Sequence, residues 1–539
     1  MNPEGGSRRG LYVVLAAAAL LFLPWLGAHD LWNPNEPIYG LAVREMAARH
    51  DWLVPTVRGQ VFAEKPILYY WLARLASLAG GGVREGALRL PSAAAALALV
   101  GLTWALVRPY AGSRRATLAG LLLATAYMVW WGARTAQMDV LVAAGTAGAL
   151  LPLSRVADFG LAPWKGWAWA GLACGIGFLA KGPIALACPG IAFAAYLAVT
   201  GRLLGRNAPL GWKPLLAAVA AGAAVVAPWI LALAARGRLE MLQETFLRQN
   251  LTRFVSAWDH RQPFWYYGLH VWIGNAPWSL LLPAAVRLPG RTEGERRLDT
   301  MAWCWLLGVI VFLSLSQSKR NDYLLPAAAA AAVLASGPLA RWIDGGPLPR
   351  WRRAWVPALL ASLAAAALAF AFALIRIAPR KAPVLAAPGR WAAGVLVLGA
   401  LLLVVALLRG RRRGATLAAW GMVAAFYLVA AASLLPAADA LKSARPFCRE
   451  LSARVPAGEP VASYGFWRWR AEYAFYGDRP IESLQTPEGL RAWARLPGRR
   501  WLLVEPWALP EARELLGAPP TALTGKVGQG TIVLLGPLH

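Results

Sequence analysis

Long apolar runs alternate with short polar connections along most of this chain. Many of the runs hold roughly 17–25 residues, enough for a helix to cross about 30 Å of hydrocarbon. Hydropathy and flanking charge together predict about thirteen spans and therefore a mainly α, polytopic integral membrane protein. The predicted spans are 11–28, 87–107, 116–133, 138–154, 166–181, 183–200, 214–234, 268–286, 299–316, 323–340, 354–376, 391–408 and 415–435.

The connections on one side of the predicted membrane are unusually long or polar. They cover residues 29–86, residues 235–267 and the short turn 316–323. Long connections in compact proteins are commonly functional. Within the first, Glu36–Arg49 and Tyr69–Leu78 carry apolar residues at helical spacing, which predicts two helices lying at the membrane surface.

The pattern changes near residue 436. Short strand-like runs, turn residues and one or two helical pieces replace the apolar spans, as in "VASYGFWRWRAEYAFYGDRPIESL". This alternation predicts a small C-terminal α/β domain. We therefore expect two domains: residues 1–435 spanning the membrane, with outer loops near 29–86 and 235–267, and residues 436–539 forming a soluble domain.

Charge orients the chain and excludes one class of partner. The protein has 539 residues, 58% of them hydrophobic and 15% charged, and a formal net charge of +28. The basic residues cluster in alternate connections, as the positive-inside rule requires. This places the N-terminus in the cytoplasm and the C-terminal domain outside.

The basic residues form no aromatic-interleaved patch of the kind that binds nucleic acid. Cys174, Cys188, Cys304 and Cys448 include no CxxC pair, so neither a zinc site nor a disulfide framework is indicated.

Ionisable side chains at the outer ends of the spans carry the candidate chemistry. Such groups are costly near a membrane and are usually functional there. Because these side chains lie at the same predicted depth in the membrane, we expect them to line one outer cavity that contains both positive and negative charges. The set is Glu36, Glu64, Lys65, Arg134, Asp139, Lys181, Arg253, Asp259, His260, Lys319, Arg320, Asp322 and Tyr323.

Two acids are candidates for proton transfer. Asn35 and Glu36 open the first surface helix, where Asn35 caps it or, alternatively, Glu36 acts as a general base. Asp139 begins a span, where it caps that helix or activates an acceptor group.

The basic residues among these candidates could bind a phosphate group. Lys319, Arg320 and Tyr323 share one outer turn and form a reasonable phosphate clamp. Lys181, before Gly182-Pro183, either snorkels to the interface or lies in the cavity. Lys65 follows Glu64 in "VFAEKPILYYWLARLA", which on its own would be an exposed ion pair. His260 with Glu64 or Asp259 could bind a divalent metal, and a hydrogen-bonded structural histidine is the alternative. No cofactor is otherwise indicated.

Several of these stretches, in this order, resemble the bacterial GT-C glycosyltransferases, which include aminoarabinose transferases and protein O-mannosyltransferase-like enzymes. The matching motifs are "NPNEPIYGLAVREM", "AEKP", "RLPSA", "GFLAKGP", "APW" and "SQSKRNDYLLP". The resemblance implies a sugar transferase of the bacterial inner membrane that works at the periplasmic face. Its donor would be a sugar on a polyprenyl (undecaprenyl-type) phosphate. Its acceptor would be lipid A, another envelope glycan or a protein.

The resemblance also implies roles for individual residues. Lys65, Lys319 and Tyr323 match the family's phosphate-contacting positions, and Asp139 matches an acid near the start of a span. Two departures are clear: Asn35 stands where the family has Asp, and Ile38 where aminoarabinose transferases have Arg. The alternative function is a transporter or flippase for a lipid-linked sugar, which explains spans and cations but predicts an inverted repeat that the sequence does not contain.

Overall fold

Helices account for most of the chain in a computed structural model, which describes residues 8–32, 35–203, 209–252, 260–286, 292–346, 348–528 and 530–538. Up to the middle of the chain the long helices are α1 Arg9–Phe22, α2 Asn35–Ala48, α3 Leu68–Ala79, α4 Glu85–Ala124, α5 Tyr127–Ala133, α6 Asp139–Phe159, α7 Pro163–Lys181, α8 Ile184–Val199, α9 Trp212–Ala235 and α10 Tyr266–Gly274.

The later helices continue to the C-terminal segment. They are α11 Glu293–Leu315, α12 Ala328–Asp344, α13 Arg350–Arg376, α14 Ala386–Leu408, α15 Arg412–Val429, α16 Leu435–Lys442, α17 Arg445–Arg454, α18 Glu472–Tyr476, α19 Pro487–Ala494 and α20 Leu509–Leu516. Short helical pieces lie between them at Glu240–Leu242, Gln243–Thr252, Trp278–Leu281, Leu282–Ala285, Asn321–Ala327, Ala378–Lys381, Pro383–Leu385 and Ala430–Leu434.

The helices agree with a polytopic membrane protein. Within the described ranges, eight are long and apolar enough to cross a membrane, and α1 and α8 are shorter apolar helices. Helix α4 contains the predicted span 87–107 and the first part of the predicted span 116–133, and its backbone breaks between them at Gly112, where φ is 78° and ψ is 168°. A left-handed φ favours glycine, which has no Cβ to clash there. The exact count of thirteen spans stays a prediction. Helices are present at both predicted positions, as α2 and α3, and their location at the membrane surface stays a prediction.

The described chain divides into two compact units. The first, called the helical unit, comprises Met1–Leu26, Ala63–Leu72 and Arg89–Ala431. The second, called the sheet unit, comprises Gly27–Phe62, Ala73–Leu88 and Ala432–His539. Most of the first outer loop groups with the C-terminal segment in this division, and the expected domain boundary near residue 436 stays a prediction.

In the helical unit, side-chain hydrogen bonds hold the C-terminal end of α6, which is the end far from Asp139. Near that end, Asp158 accepts hydrogen bonds from the hydroxyls of Tyr110 at 2.5 Å and Tyr196 at 2.7 Å, and from Arg202 at 2.9 Å. The first residue of α6, Asp139, lies about 30 Å away along a helix of this length. Anchoring one end in this way fixes where the other end places its carboxylate.

Helices α7 and α9 pack backbone against backbone. A Cβ added at Gly171 would lie 2.1 Å from the Ala218 carbonyl oxygen, and one at Gly175 would lie 2.9 Å from the Gly222 carbonyl oxygen. Small residues at such positions allow membrane helices to approach closely. This contact holds α7, which ends at Lys181, against its neighbour.

The sheet unit contains a mixed sheet of five described strands. They are β3 Val461–Tyr464, β4 Ile481–Leu484, β5 Arg500–Val504, β6 Thr521–Val527 and β7 Gly530–Leu538, in the order β4-β3-β5-β7-β6. Strands β4, β3 and β5 are parallel, whereas β7 pairs antiparallel with β5 and β6. One face packs under α19 and α20, where Leu490, Trp493 and Ala512 meet Leu502 and Val504.

A small hairpin from the first outer loop joins this sheet unit. Strands β1 Thr56–Val57 and β2 Gln60–Val61 enclose Arg58 and Gly59, both with positive φ, as a tight two-residue hairpin turn requires. The Arg58 guanidinium donates to Ser463 Oγ at 2.6 Å and to the Ile481 carbonyl at 2.8 Å. Burial lowers the pKa of Arg58 to about 10.

Candidate active site

An ion pair inside the helical unit forms the centre of the candidate site. Lys181 ends α7, and Asp139 begins α6. The Lys181 ammonium donates to the Asp139 carboxylate, and both side chains are nearly nine-tenths buried. Gly182, with φ of 84°, ends α7 immediately after Lys181 and turns the chain into Pro183. The turn therefore presents the ammonium in a defined place, as the sequence suggested.

Tyr323 completes this centre from a third element. The Lys181 Nζ lies 4.1 Å from the centroid of the Tyr323 ring, a distance at which an ammonium is attracted to an aromatic face. Tyr323 belongs to the 3-10 segment Asn321–Ala327 that leads into α12. Asp322, its neighbour, interacts electrostatically with both Asp139 and Lys181.

A cavity of about 360 Å³ opens beside the ion pair. Its charged and hydroxyl-bearing lining comprises Glu64, Lys65, Lys181, Ser316, Ser318 and Tyr323. Its remaining lining is largely apolar and comes chiefly from Ile184, Ala187, Phe246, Phe312 and Leu313. All of these residues belong to the helical unit. The cavity therefore offers cations and an apolar wall to the same ligand.

The stretch Ala63–Pro66 reaches this cavity as irregular backbone just before α3. The Thr245 hydroxyl, which is buried, donates to the Ala63 carbonyl at 2.6 Å. Thr245 lies in the π-helical segment Gln243–Thr252, whose Phe246 and Gln249 also line the cavity. π-Helical turns are rare and often mark functional sites. Periodicity in the sequence gives no signal for such a segment, so Phe246 and Gln249 were missed.

Lys319 is placed differently from the other cations. Its side chain is 4% exposed, and its ammonium donates to the carbonyls of Ser316 and, at 3.1 Å, Gln262. Its backbone N–H donates to the His260 carbonyl at 3.0 Å. Burial lowers the pKa of Lys319. The described residues that line the cavity do not include Lys319. Its contacts stabilise the turn that carries Tyr323, and phosphate contact by Lys319 stays a prediction.

Arg320 and Arg134 make local contacts. Arg320 lies 3.5 Å from the Asp322 carboxylate. Arg134 is 1% exposed and donates to the carbonyls of Leu21, Phe22 and Trp25. Arg134 thus binds the carbonyls at the end of α1, which is a structural role.

Asn35 and Glu36 belong to the sheet unit, at the start of α2. The Glu36 carboxylate is 5% exposed and accepts the Trp32 backbone N–H at 3.1 Å. An acidic residue in the first turn is favoured by the helix dipole. Glu36 therefore has a structural contact, whereas capping by Asn35 and acid–base work by Glu36 both stay predictions.

The described residues add no third ligand to the proposed metal site of Glu64 and His260. His260 is exposed and begins the described segment after residue 252, while Arg253 and Asp259 lie outside the described residues. Among the described residues no group of three or more His, Cys, Asp or Glu side chains is placed to hold a metal ion. A site made of Glu64 and His260 would therefore need water or substrate ligands.

Part of the chain is similar in sequence to known sugar transferases. Residues 64–231 match the family described as dolichyl-phosphate-mannose-protein mannosyltransferase. The undecaprenyl phosphate-α-4-amino-4-deoxy-L-arabinose arabinosyl transferase of Pectobacterium atrosepticum is 31% identical over 345 residues, which are 63% of this chain and 60% of the relative. The corresponding transferase of Aeromonas salmonicida is 30% identical over 358 residues, 65% of this chain and 64% of the relative. The chain thus spans about three fifths of the curated relatives it matches.

Solved structures extend the likeness to nearly the whole chain. The crystal structure of ArnT from Cupriavidus metallidurans bound to undecaprenyl phosphate has a TM-score of 0.77 at 21% identity and covers 98% of both chains. The apo form of the same protein also has a TM-score of 0.77. The fold is therefore that of a GT-C membrane glycosyltransferase. The resemblance identified from the motifs is confirmed: the chain is similar to the aminoarabinose transferases.

Proposed function

We propose that this protein transfers a sugar from a polyprenyl phosphate, of the undecaprenyl type, to an acceptor at the periplasmic face of the bacterial inner membrane. The acceptor is lipid A, another envelope glycan or a protein. The basic cytoplasmic connections support this orientation, with the N-terminus inside and the C-terminal segment outside. The names of the relatives support the donor class.

One observation carries the proposal: Lys65, Lys181 and Tyr323 line the same 360 Å³ cavity as the apolar side chains of Phe246, Phe312 and Leu313. A polyprenyl phosphate presents an anionic head on an apolar chain. Two ammonium groups can neutralise the head, while the apolar wall accepts the first isoprene units. A soluble nucleotide-sugar would gain nothing from such a wall.

The proposed reaction is a direct displacement at the anomeric carbon. Asp139 takes the proton of the acceptor hydroxyl or amine, whose lone pair forms the new bond to the sugar. The bond from the sugar to the phosphate oxygen breaks, and its electron pair leaves with the polyprenyl phosphate. Lys65 and Lys181 stabilise the charge that develops on this leaving group, which is where preorganised electrostatics contribute most. Glu36 with Asn35 is the second candidate for acid–base work.

Turnover of synthetic polyprenyl-phosphate sugars by the purified protein, with candidate acceptors, tests the proposal. We expect Lys181→Met and Lys65→Met each to lower kcat/KM by at least a hundredfold, roughly the effect of removing one charged transition-state contact. Lys213→Met in α9, outside the cavity lining, is the matched control and should leave kcat/KM unchanged. Movement of a lipid-linked sugar across proteoliposomes without transfer would instead favour the flippase.

A further inference from the structure

The cavity's cations are accompanied by carboxylates. Lys181 pairs with Asp139, and Glu64, the chain neighbour of Lys65, lines the same cavity. An incoming phosphate therefore does not meet a surplus of positive charge around Lys181. It must compete with the Asp139 carboxylate for the same ammonium group.

The geometry of Lys181 allows that competition. Its ammonium carries three N–H donors, and it contacts Asp139 on one side while its Nζ lies 4.1 Å from the Tyr323 ring centroid. The same side chain lines the cavity, whereas the described cavity lining does not include Asp139. A phosphate in the cavity thus approaches Lys181 from a side different from that of Asp139.

The chemistry of Asp139 depends on this pairing. While Lys181 donates to Asp139, its ammonium occupies a carboxylate oxygen that the acceptor's proton would have to reach. Drawing the ammonium towards a phosphate in the cavity exposes the Asp139 carboxylate to the acceptor's proton. The attraction of the phosphate for the Lys181 ammonium grows as the phosphate gains negative charge, which happens when its bond to the sugar breaks.

The geometry points to Lys181 as an exchangeable counter-ion that passes from Asp139 to the donor's phosphate, so that donor binding activates Asp139 as the base. This inference rests on the proposed function. The acceptor's proton goes to Asp139, the acceptor's lone pair bonds to the sugar, and the electrons of the broken bond stay with the phosphate held by Lys181. Proton uptake and leaving-group departure are coupled through one ammonium group.

The test is a double-mutant cycle on binding, measured as the Kd of undecaprenyl phosphate for detergent-purified protein. Asp139→Asn removes the competing charge, so we expect Kd to fall roughly five- to fiftyfold, the range of typical coupling between close charged groups. In a Lys181→Met background the same substitution should change Kd less than twofold. Asp139→Ser, which also cannot pair with an ammonium, should repeat both results, so either folded variant decides the matter.

Glu64→Gln is the matched control, because it removes another carboxylate of the cavity. Its effect on Kd should be the same in the wild-type and Lys181→Met backgrounds. Equal tightening by Asp139→Asn in both backgrounds would overturn the exchange, as would weaker binding by the single variant. Wild-type protein that binds no undecaprenyl phosphate would instead overturn the proposed function.

Discussion

Trp32 donates its indole N–H to the carboxylate of Asp439 at 2.8 Å, although 407 residues separate the two in sequence. The backbone N–H of Asp30 donates to the same carboxylate at 3.0 Å. Asp30 in turn accepts the Ser443 hydroxyl at 2.7 Å and pairs with Arg445 at 2.7 Å. These contacts hold the chain that leads into α2 against the start of the C-terminal segment, within the sheet unit.

Asp439→Leu should therefore loosen this part of the sheet unit. The Trp32 indole and the Asp30 backbone lose a charged acceptor, which costs about 1–3 kcal/mol of the free energy of unfolding when the donors are poorly solvated. Thermal unfolding and limited proteolysis within residues 27–62 measure the effect. Asp478→Asn is the control, because the Asp478 carboxylate is 92% exposed and lies 3.4 Å from Arg44, and asparagine tolerates the positive φ of 47° at this position. That exposed pair should contribute under about 1 kcal/mol, and equal losses for the two variants would contradict this assignment.

The two candidate bases should respond differently to removal of their charge. We expect Asp139→Asn to lower kcat roughly a hundred- to ten-thousandfold, the usual contribution of a general base. Glu36→Gln should lower kcat less than about tenfold, because the glutamine oxygen can still accept the Trp32 N–H that Glu36 accepts. Steady-state kinetics on both variants decide the assignment. A loss with Glu36→Gln as large as with Asp139→Asn would move the base to Glu36.

Lys319 should give a defined dependence of stability on pH. Burial lowers its folded-state pKa below the ordinary value of 10.5, so the unfolded chain holds this proton more tightly. The contribution of Lys319 to stability is therefore smallest below its lowered pKa and rises as pH increases towards 10.5. The unfolding temperature of wild type minus that of Lys319→Met should increase as the pH rises towards 10.5. A flat or falling difference would show that the ammonium is not penalised by burial.

The contact between α7 and α9 can be tested with a single methyl group. Gly171→Ala places a Cβ 2.1 Å from the Ala218 carbonyl oxygen, so the helices must separate, at a cost of about 1–3 kcal/mol. Gly190→Ala in α8 is the control, because no described atom lies within 4 Å of its added Cβ. Thermal unfolding in detergent should show a lower midpoint for Gly171→Ala alone. Equal midpoints would mean that α9 moves freely enough to absorb the methyl group.

Much of this arrangement was predictable from the order of apolar and polar residues. The surface helices α2 and α3, the breaks at Gly112 and Gly182, and the grouping of Asp139, Lys181, Lys65 and Tyr323 in one unit follow local patterns. The ion pair itself follows a simple rule that the sequence reasoning missed. Because α6 begins at Asp139 and α7 ends at Lys181, antiparallel neighbours bring these two residues to the same level.

The remainder depends on contacts that no local pattern encodes. Lys319 looks like its neighbour Arg320 in sequence, but the path of the turn directs its ammonium to the Ser316 and Gln262 carbonyls. The π-helical segment that brings Phe246 to the cavity has no periodic signature. The grouping of Gly27–Phe62 with the C-terminal residues results from partners far along the chain, beyond any window of pattern analysis.

The grouping of Gly27–Phe62 with the C-terminal residues sets the order in which the protein can fold during its synthesis. Arg58 emerges from the ribosome 405 residues before Ser463, which accepts its hydrogen bond. At about 5–20 residues per second of synthesis, the β1–β2 hairpin waits roughly 20–80 s for its partner strand. During that interval the intervening membrane helices are inserted one after another. The β1–β2 hairpin can therefore reach its final packing only after Ser463 and Ile481 have been synthesised, so its protection from protease reports that translation has passed these residues.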